Sequence, residues 1–180
     1  RRLLGLVRQT RATTHYLVVS AHWGSNWGNA PPPEHVLLGH ALIEAGADVV
    51  FGHSAHVVRG IEIYRRRPIL YSTGDFIDDY AIDPVDRNDE SFIFVLEMQR
   101  RRLRRIELYP TVIEDMQARR ARDDRAERIA GRMKRLSAAL STPMMWRARP
   151  GYLEVAPPAA ATPDGGPAGA ESVIHKSHLE

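Results

Sequence analysis

Short apolar runs alternate with an amphipathic stretch in the first third of the chain. Residues 16–20 and 48–51 are each apolar enough for a buried strand, and both runs end at polar residues. Between them, residues 34–45 place apolar side chains at helical spacing and stop at Gly46, a residue type that often ends helices. This pattern predicts a strand–helix–strand unit with parallel strands. The apolar positions of residues 3–14 predict the end of a helix before it.

After the second strand the pattern changes to short strands joined by tight turns. Residues 60–64 and 69–72 predict one hairpin, and residues 91–96 and 103–109 predict a second. A polar, aspartate-rich loop over residues 73–89 separates the two hairpins. Together with the strand–helix–strand unit, these elements indicate an α/β fold.

The C-terminal third divides into a charged segment and a tail. Residues 114–140 predict one long helix at the periphery, packed on the body or on a partner. Its narrow apolar stripe consists of Ile129, Met133, Leu136 and Leu140. Residues 156–180 begin with a stretch rich in Pro, Ala and Gly and predict a disordered tail. The expected organisation is a domain over residues 1–112, a helical extension over 113–155 and the tail.

Composition narrows the classes of function. The 180 residues contain no cysteine, so metal ligands would have to be His, Asp, Glu or Asn. The net charge of +3 is small, and the preference for Arg over Lys is interpreted as a genome bias rather than as nucleic-acid binding. No apolar run is long enough for a membrane-spanning helix, and no compartment is indicated. The arginine run at residues 100–105 is expected to be a solvated turn, with a phosphate-binding patch as the less favoured alternative.

Histidines follow both of the predicted parallel strands. His22 opens the motif His22-Trp23-Gly24, and the motif Gly52-His53-Ser54-Ala55-His56 follows the second strand. Ligands gather where neighbouring parallel strands end, so the three imidazoles are expected to converge on one divalent metal ion or on a metal pair. Such a site suits a metal-dependent hydrolase. The alternative is a plain α/β domain in which these histidines are structural.

Asp75 follows another predicted strand and is expected at the same edge, with Asp78 and Asp79 close behind it. These carboxylates either cap backbone N–H groups of a polar loop or orient metal-bound imidazoles, and Asp75 is the stronger candidate because it lies nearest to the strand. Of Trp23 and Trp27, one is expected in the core, and the other could form a wall of a substrate pocket.

Several other polar residues are expected to lie outside the functional site. His35 is predicted to be solvated, and His40 is predicted to be a partly buried residue that packs on its neighbours. Arg59 is expected to form a surface salt bridge, with contact to an anionic substrate as the alternative. His175 and His178, near the end of the chain, are poor ligand candidates.

Three of these motifs, in this order and spacing, resemble the CapA family, which is named for poly-γ-glutamate capsule biosynthesis proteins. The matching segments are His22-Trp23-Gly24-Ser25-Asn26-Trp27, Ala45-Gly46-Ala47-Asp48 followed by Gly52-His53-Ser54-Ala55-His56, and Tyr71-Ser72-Thr73-Gly74-Asp75-Phe76. The resemblance spans about residues 15–110 and corresponds to the C-terminal half of that family. It implies part of a layered α/β domain similar to calcineurin-like metallophosphoesterases, followed here by C-terminal hairpins, a peripheral helix and a disordered tail.

The resemblance also implies roles for individual residues. His22 and His53 match ligands of one metal ion and His56 matches a ligand of another, which implies two divalent ions such as Mn, Fe or Zn. The family's Glu after His-Trp-Gly is Asn26 here, and its Asn before Phe is Asp75. We expect these two residues to act at the catalytic centre and to share a hydrogen bond or a ligand.

The implied function is a metal-dependent hydrolase of the capsule biosynthesis type, acting on a phosphoester or on an anionic polymer. The alternative is a non-catalytic polymer-binding or assembly subunit that retains the fold. The family supplies its other metal ligands from an N-terminal half, through an Asp-containing motif and an Asn-His motif. We therefore expect this chain to carry half of a site and to need that N-terminal half as its partner.

Overall fold

The computed structural model describes residues 2–78 and 82–156. The elements in chain order are α1 (Arg2–Arg11), β1 (Val18–His22), α2 (Pro33–Ala45), β2 (Val49–His53), β3 (Ile61–Tyr64), β4 (Arg67–Leu70), β5 (Glu90–Gln99), β6 (Arg102–Glu114), β7 (Gln117–Arg120), α3 (Asp123–Ala138), β8 (Met145–Arg147) and β9 (Tyr152–Val155). Two sheets and three helices confirm the α/β fold class. Asp79, residues 157–180 of the expected tail, and with them His175 and His178, lie outside the described residues.

The first sheet has the strand order β1-β2-β4-β3. Strands β1 and β2 are parallel and α2 connects them, as the sequence predicts, and α2 ends at Gly46 with a φ of 121°. Both strands extend two residues beyond the predicted ends, so His22 and His53 occupy their final positions and are directly paired. The predicted first hairpin is confirmed as the antiparallel pair β3 and β4, and β4 is parallel to β2.

The second sheet has the order β5-β6-β9-β8, with β7 also paired to β6. The predicted second hairpin is confirmed as β5 and β6, although both strands are longer than the pattern indicated. Strand β5 pairs with one side of β6 over most of its length. The other side of β6 pairs with β9 in its first half and with β7 in its second half, which continues to Glu114.

The prediction of one helix over residues 114–140 is wrong at its N-terminal end. Asp115 and Met116 form a two-residue turn with φ values of 50° and 59°, and the chain then returns as β7 before α3 starts at Asp123. Turns of this kind favour Asn and Gly, so the Asp-Met sequence carries little of the usual hairpin signal.

The helix α3 is also less peripheral than the sequence suggested. Ile129 and Met133 are fully buried against strands of both sheets, and Leu136 packs beside them. Residues 113–155 thus contribute a helix and several strands that share a core with the preceding domain. No helix of the described ranges is long and apolar enough to cross a bilayer.

Two apolar clusters hold these layers together. One lies between the first sheet, the second sheet and α3, and includes Leu70, Leu108 and Met133. The other lies between the first sheet and the helices α1 and α2, and includes Ile43 and Val50. The first sheet is therefore the middle layer, and its strand ends are fixed by packing on both sides.

Candidate metal centre

The parallel register of β1 and β2 brings the first two predicted ligands together. His22 and His53 are paired across the two strands, and their ring centroids lie 5.3 Å apart in a T-shaped arrangement. Ser20 lies on the same face as His22, because strand side chains alternate, and its hydroxyl oxygen is 3.1 Å from Nε2 of His53. Both side chains line the same pocket at the C-terminal ends of these strands.

His56 pairs with carboxylates rather than with the other two histidines. Its Nδ1 atom lies 3.0 Å from Oδ1 and 3.1 Å from Oδ2 of Asp75. One potential ligand atom from each of His56, Asp75 and Asp78 lies within 4.8 Å of the others. A carboxylate at one ring nitrogen orients an imidazole so that the opposite nitrogen can bind a metal ion.

Asp75 is held by groups from two loops. Asn88 donates a side-chain hydrogen bond of 3.3 Å to Oδ2, in addition to the contact with His56. Burial raises the pKa of the Asp75 carboxyl, while the hydrogen bonds from Asn88 and His56 act to lower it.

The expected hydrogen bond between Asn26 and Asp75 is replaced by a different arrangement. Among the described residues, Asn88 supplies the amide that donates to Asp75. Asn26 instead accepts, through its backbone carbonyl, a hydrogen bond of 2.9 Å from the backbone N–H of His56. The two motif loops are thus tied together through the main chain, and a ligand shared by Asn26 and Asp75 stays a prediction.

All five candidate residues line one open pocket of about 410 Å³. They are His22, Asn26, His53, His56 and Asp75. Asp78 and the exposed apolar side chains of Phe76 and Ile77 also line it. The structure therefore collects the candidates at one place, with the histidines divided between a His22–His53 pair and a His56–Asp75 pair.

Close backbone packing under the pocket explains the glycine in the second motif. A side chain at Gly52 would place its Cβ 2.5 Å from Nε1 of Trp23 and 2.5 Å from the backbone oxygen of Tyr71. Trp23 needs this space because its indole N–H donates a hydrogen bond of 2.9 Å to that same oxygen. Ser54 follows with a φ of 99°, a conformation that costs a non-glycine residue free energy and that is often found at functional sites.

One tryptophan lies in the core, as the sequence suggested, and the other is exposed but is not among the residues that line the pocket. Trp23 is 7 % exposed and belongs to the core under the first sheet. Trp27 is 43 % exposed, and its ring centroid lies 5.5 Å from that of His56. Trp27 therefore lies beside the His56–Asp75 pair, and its role as a wall of a substrate pocket stays a prediction.

Two expectations about supporting residues are wrong. His35 is buried and stacks on Trp23 with ring centroids 5.0 Å apart, and burial, together with the nearby Arg59 cation, lowers its pKa. Arg59 forms neither a surface salt bridge nor an exposed anion contact, since it is 1 % exposed. Its guanidinium donates hydrogen bonds of 3.0–3.1 Å to the backbone carbonyls of residues 25, 27 and 28.

Arg59 thus braces the loop that follows His22, and burial lowers its own pKa. Sequence reasoning missed this role because loop carbonyls carry no side-chain signature. It also missed Asn88, which lies 13 positions after Asp75 in the same polar loop. Ser20 could have been found, because strand alternation places it on the same face as His22.

Comparisons with known proteins find similarity in the N-terminal part of the chain, which contains the pocket. The family model described as bacterial capsule synthesis protein PGA_cap matches residues 1–80. A probable polyglutamine synthesis accessory protein of Mycobacterium tuberculosis is 60 % identical over 63 residues. The resemblance of residues 1–80 to the CapA family is thereby confirmed.

Other CapA-family relatives match segments of similar length. The capsule biosynthesis protein CapA of Bacillus anthracis is 40 % identical over 63 residues, and the PGA biosynthesis protein CapA of Bacillus subtilis is 35 % identical over 74 residues. The matches to the mycobacterial and B. anthracis proteins each cover 35 % of this chain, and the match to the B. subtilis protein covers 41 %. They cover 17 %, 15 % and 20 % of the mycobacterial, B. anthracis and B. subtilis proteins, so the chain matches a small part of each relative.

Proposed function

We propose that the pocket is part of a metal-dependent hydrolase centre of the CapA type. The observation that carries the proposal is the convergence of His22, His53, His56 and Asp75 from three strand ends on one open pocket. Imidazole nitrogens and carboxylate oxygens are suitable donors for Zn, Mn or Fe. The residues present therefore fit a divalent metal ion.

The two side-chain pairs suggest a division of roles. His22 and His53 would hold one ion, and His56 with Asp78 would contribute to a second. Asp75 would orient His56 through Nδ1, and Trp27 would limit solvent on that side. Bound divalent ions supply an activated water and a positive charge for the oxygens of the group under attack.

The proposed substrate is an anionic polymer or a phosphoester. The relatives' names refer to capsule, polyglutamine and PGA biosynthesis, and the matched segments are a small fraction of those proteins. We infer that a longer protein, through its N-terminal half, completes the ligand set. Activity is therefore proposed for the full-length gene product.

The first test is metal content per chain, measured by elemental analysis on the full-length protein and on this chain. We expect metal in the full-length wild type and a loss of most of it in His53→Ala/His56→Ala. His15→Ala is the matched control, because His15 is an exposed histidine outside the pocket. Metal unchanged in the double variant would overturn the proposal.

A stably folded full-length protein without metal would instead support the alternative, a binding or assembly subunit that retains the fold. If metal is present, screening phosphoesters and polyglutamate for hydrolysis tests the reaction. Hydrolysis that persists in His53→Ala/His56→Ala would place the chemistry elsewhere.

A further inference from the structure

The end of the first sheet opposite the pocket is rich in arginine. The β3–β4 turn contains Arg65, and the β5–β6 turn contains Arg100 and Arg101. The two turns meet in space, since the backbone N–H of Leu103 donates a hydrogen bond of 3.0 Å to the carbonyl oxygen of Arg66. Arginine runs that lie 35 positions apart in sequence therefore share one surface.

A buried carboxylate at this end shows how these arginines hold an anion. Asp48 is 0 % exposed and lies directly before β2. Arg11 contacts it at 2.7 Å, Arg101 at 3.0 Å and Arg67 at 3.8 Å. A single carboxylate thus has three guanidinium neighbours.

We call Arg11, Arg65, Arg67, Arg100, Arg101 and Arg102 the arginine surface. Among the described residues, the carboxylates that form ion pairs with its members are Asp48 and Glu44. The surface therefore keeps an excess of positive charge. Burial lowers the pKa of Arg67, and the neighbouring Arg101, Arg11 and Arg102 lower it further, which is the effect of closely spaced like charges.

The outer members of the surface face solvent. The side chain of Arg65 is 64 % exposed, and Arg100 and Arg102 are also exposed. Guanidinium groups bind carboxylates through two parallel hydrogen bonds, as a lysine ammonium does not. The inner arginines are occupied by Asp48. Arg65 has an exposed ion pair of 3.1 Å with Glu44, whereas Arg100 and Arg102 form no ion pair with a carboxylate among the described residues. The outer arginines can therefore bind an external anion.

We propose that the arginine surface binds a polymer of repeated carboxylates, such as polyglutamate, at a site separate from the pocket. His53 lies five positions after Asp48 along β2, so at about 3.3 Å per residue the two places are roughly 16 Å apart. A long chain can be held here while another of its segments lies at the histidines. The inference rests on the proposed function for the identity of the polymer, whereas the surface itself is independent of any metal.

The test is binding of fluorescent poly-L-glutamate to the 180-residue chain, followed by anisotropy without added metal at several salt concentrations. The variant is Arg65→Ser/Arg100→Ser/Arg102→Ser, which leaves the contacts of Asp48 intact. The matched control is Arg119→Ser/Arg122→Ser/Arg149→Ser, which removes the same charge from exposed positions elsewhere. We expect at least tenfold weaker binding and a shallower salt dependence in the first variant, and less than a twofold change in the control.

An equal loss in both variants would overturn the proposal, because it would mean general attraction to a basic chain. Absence of polyglutamate binding to the wild type, or binding to anionic lipid vesicles in preference to polyglutamate, would also overturn it. If the serine variant does not fold, Arg65→Lys/Arg100→Lys/Arg102→Lys replaces it and should bind several-fold more weakly than wild type. Unchanged binding in that lysine variant would contradict the requirement for guanidinium groups.

A second pair of measurements separates this inference from the proposed hydrolase. His53→Ala/His56→Ala should lose metal and still bind polyglutamate, whereas the arginine variant should bind metal normally in the full-length protein. If the full-length wild type binds polyglutamate but contains no metal, only the hydrolase proposal is contradicted. If the full-length wild type contains metal but does not bind polyglutamate, only the proposal for the arginine surface is contradicted.

Discussion

The polar groups at the two ends of strand β2 differ in their exposure to solvent. At its beginning, Asp48 is enclosed by arginines and removed from solvent. At its end, His53 lies beside an open pocket whose polar groups remain accessible. At the first end the charge of Asp48 holds neighbouring arginines together, and at the second end nitrogen and oxygen atoms remain available for a metal ion. The same five-residue strand thus serves a structural centre and a candidate reactive centre.

The strongest challenge to this contrast is Asp48→Asn. Removing the charge would leave closely spaced arginines without their shared carboxylate, and breaking a buried pair in this way costs about 3 kcal/mol or more. We expect a lower free energy of unfolding, measured by urea denaturation. Glu97→Gln, which removes the carboxylate from an exposed pair with Arg105, should change it by about 0.5 kcal/mol or less. Equal effects of the two substitutions would contradict the structural role of Asp48.

Gly52→Ala tests how tightly the other end is supported. The added methyl group would press on Trp23 and on the backbone of Tyr71, so we expect destabilisation of about 1–3 kcal/mol and a shifted tryptophan fluorescence spectrum. Gly5→Ala is the control, because a Cβ there would meet nothing within 4 Å in the helix α1. That change should be neutral or slightly stabilising. A silent Gly52→Ala would argue against close packing under the pocket.

Asp75→Asn separates ligand binding from stability at the histidine end. The amide weakens the orientation of His56, and changes in such orienting partners lower metal affinity about 10–100-fold. We expect that loss in a metal titration of the full-length protein, with little change in the midpoint of thermal unfolding. Asp86→Asn, whose carboxylate is not among the pocket-lining residues, should retain wild-type affinity. The same affinity in both variants would remove Asp75 from the site.

The smallest expected effect is that of Ser20→Ala. Its hydroxyl contacts Nε2 of His53 at an exposed strand face, and a hydrogen bond of this kind contributes about 0.5–1.5 kcal/mol. We expect a few-fold change in metal affinity and no measurable change in unfolding. Val18→Ala, on the same exposed face two residues earlier, should leave metal affinity unchanged. A larger change for Val18→Ala than for Ser20→Ala would indicate that the strand face, rather than the hydroxyl, controls the site.

Local patterns were sufficient for the elements that depend on short-range order. The β1–α2–β2 unit and the first two hairpins follow from apolar periodicity and from Gly46. The turn at Asp115 and Met116 was missed because its left-handed conformation is held by the pairing of β6 and β7. Tertiary pairing, rather than local preference, determines that segment.

The candidate site also has features that local sequence predicts and features that tertiary structure determines. Strand ends were sufficient to predict that His22, His53, His56 and Asp75 meet at one pocket. The division into two pairs could not be read from the sequence, because it depends on the path of the loop after His53. Burial of Arg59 and His35 depends likewise on where the loop after His22 folds back.

The direct pairing of His22 with His53 has an entropic consequence. Two imidazoles on flexible loops would have to lose backbone freedom before they could bind the same ion, at about 1–2 kcal/mol for each residue that becomes fixed. Here the hydrogen-bonded ladder of a parallel sheet has already fixed both backbones. The first two donors are therefore preorganised by folding, and mutations that loosen the surrounding loops leave their spacing intact.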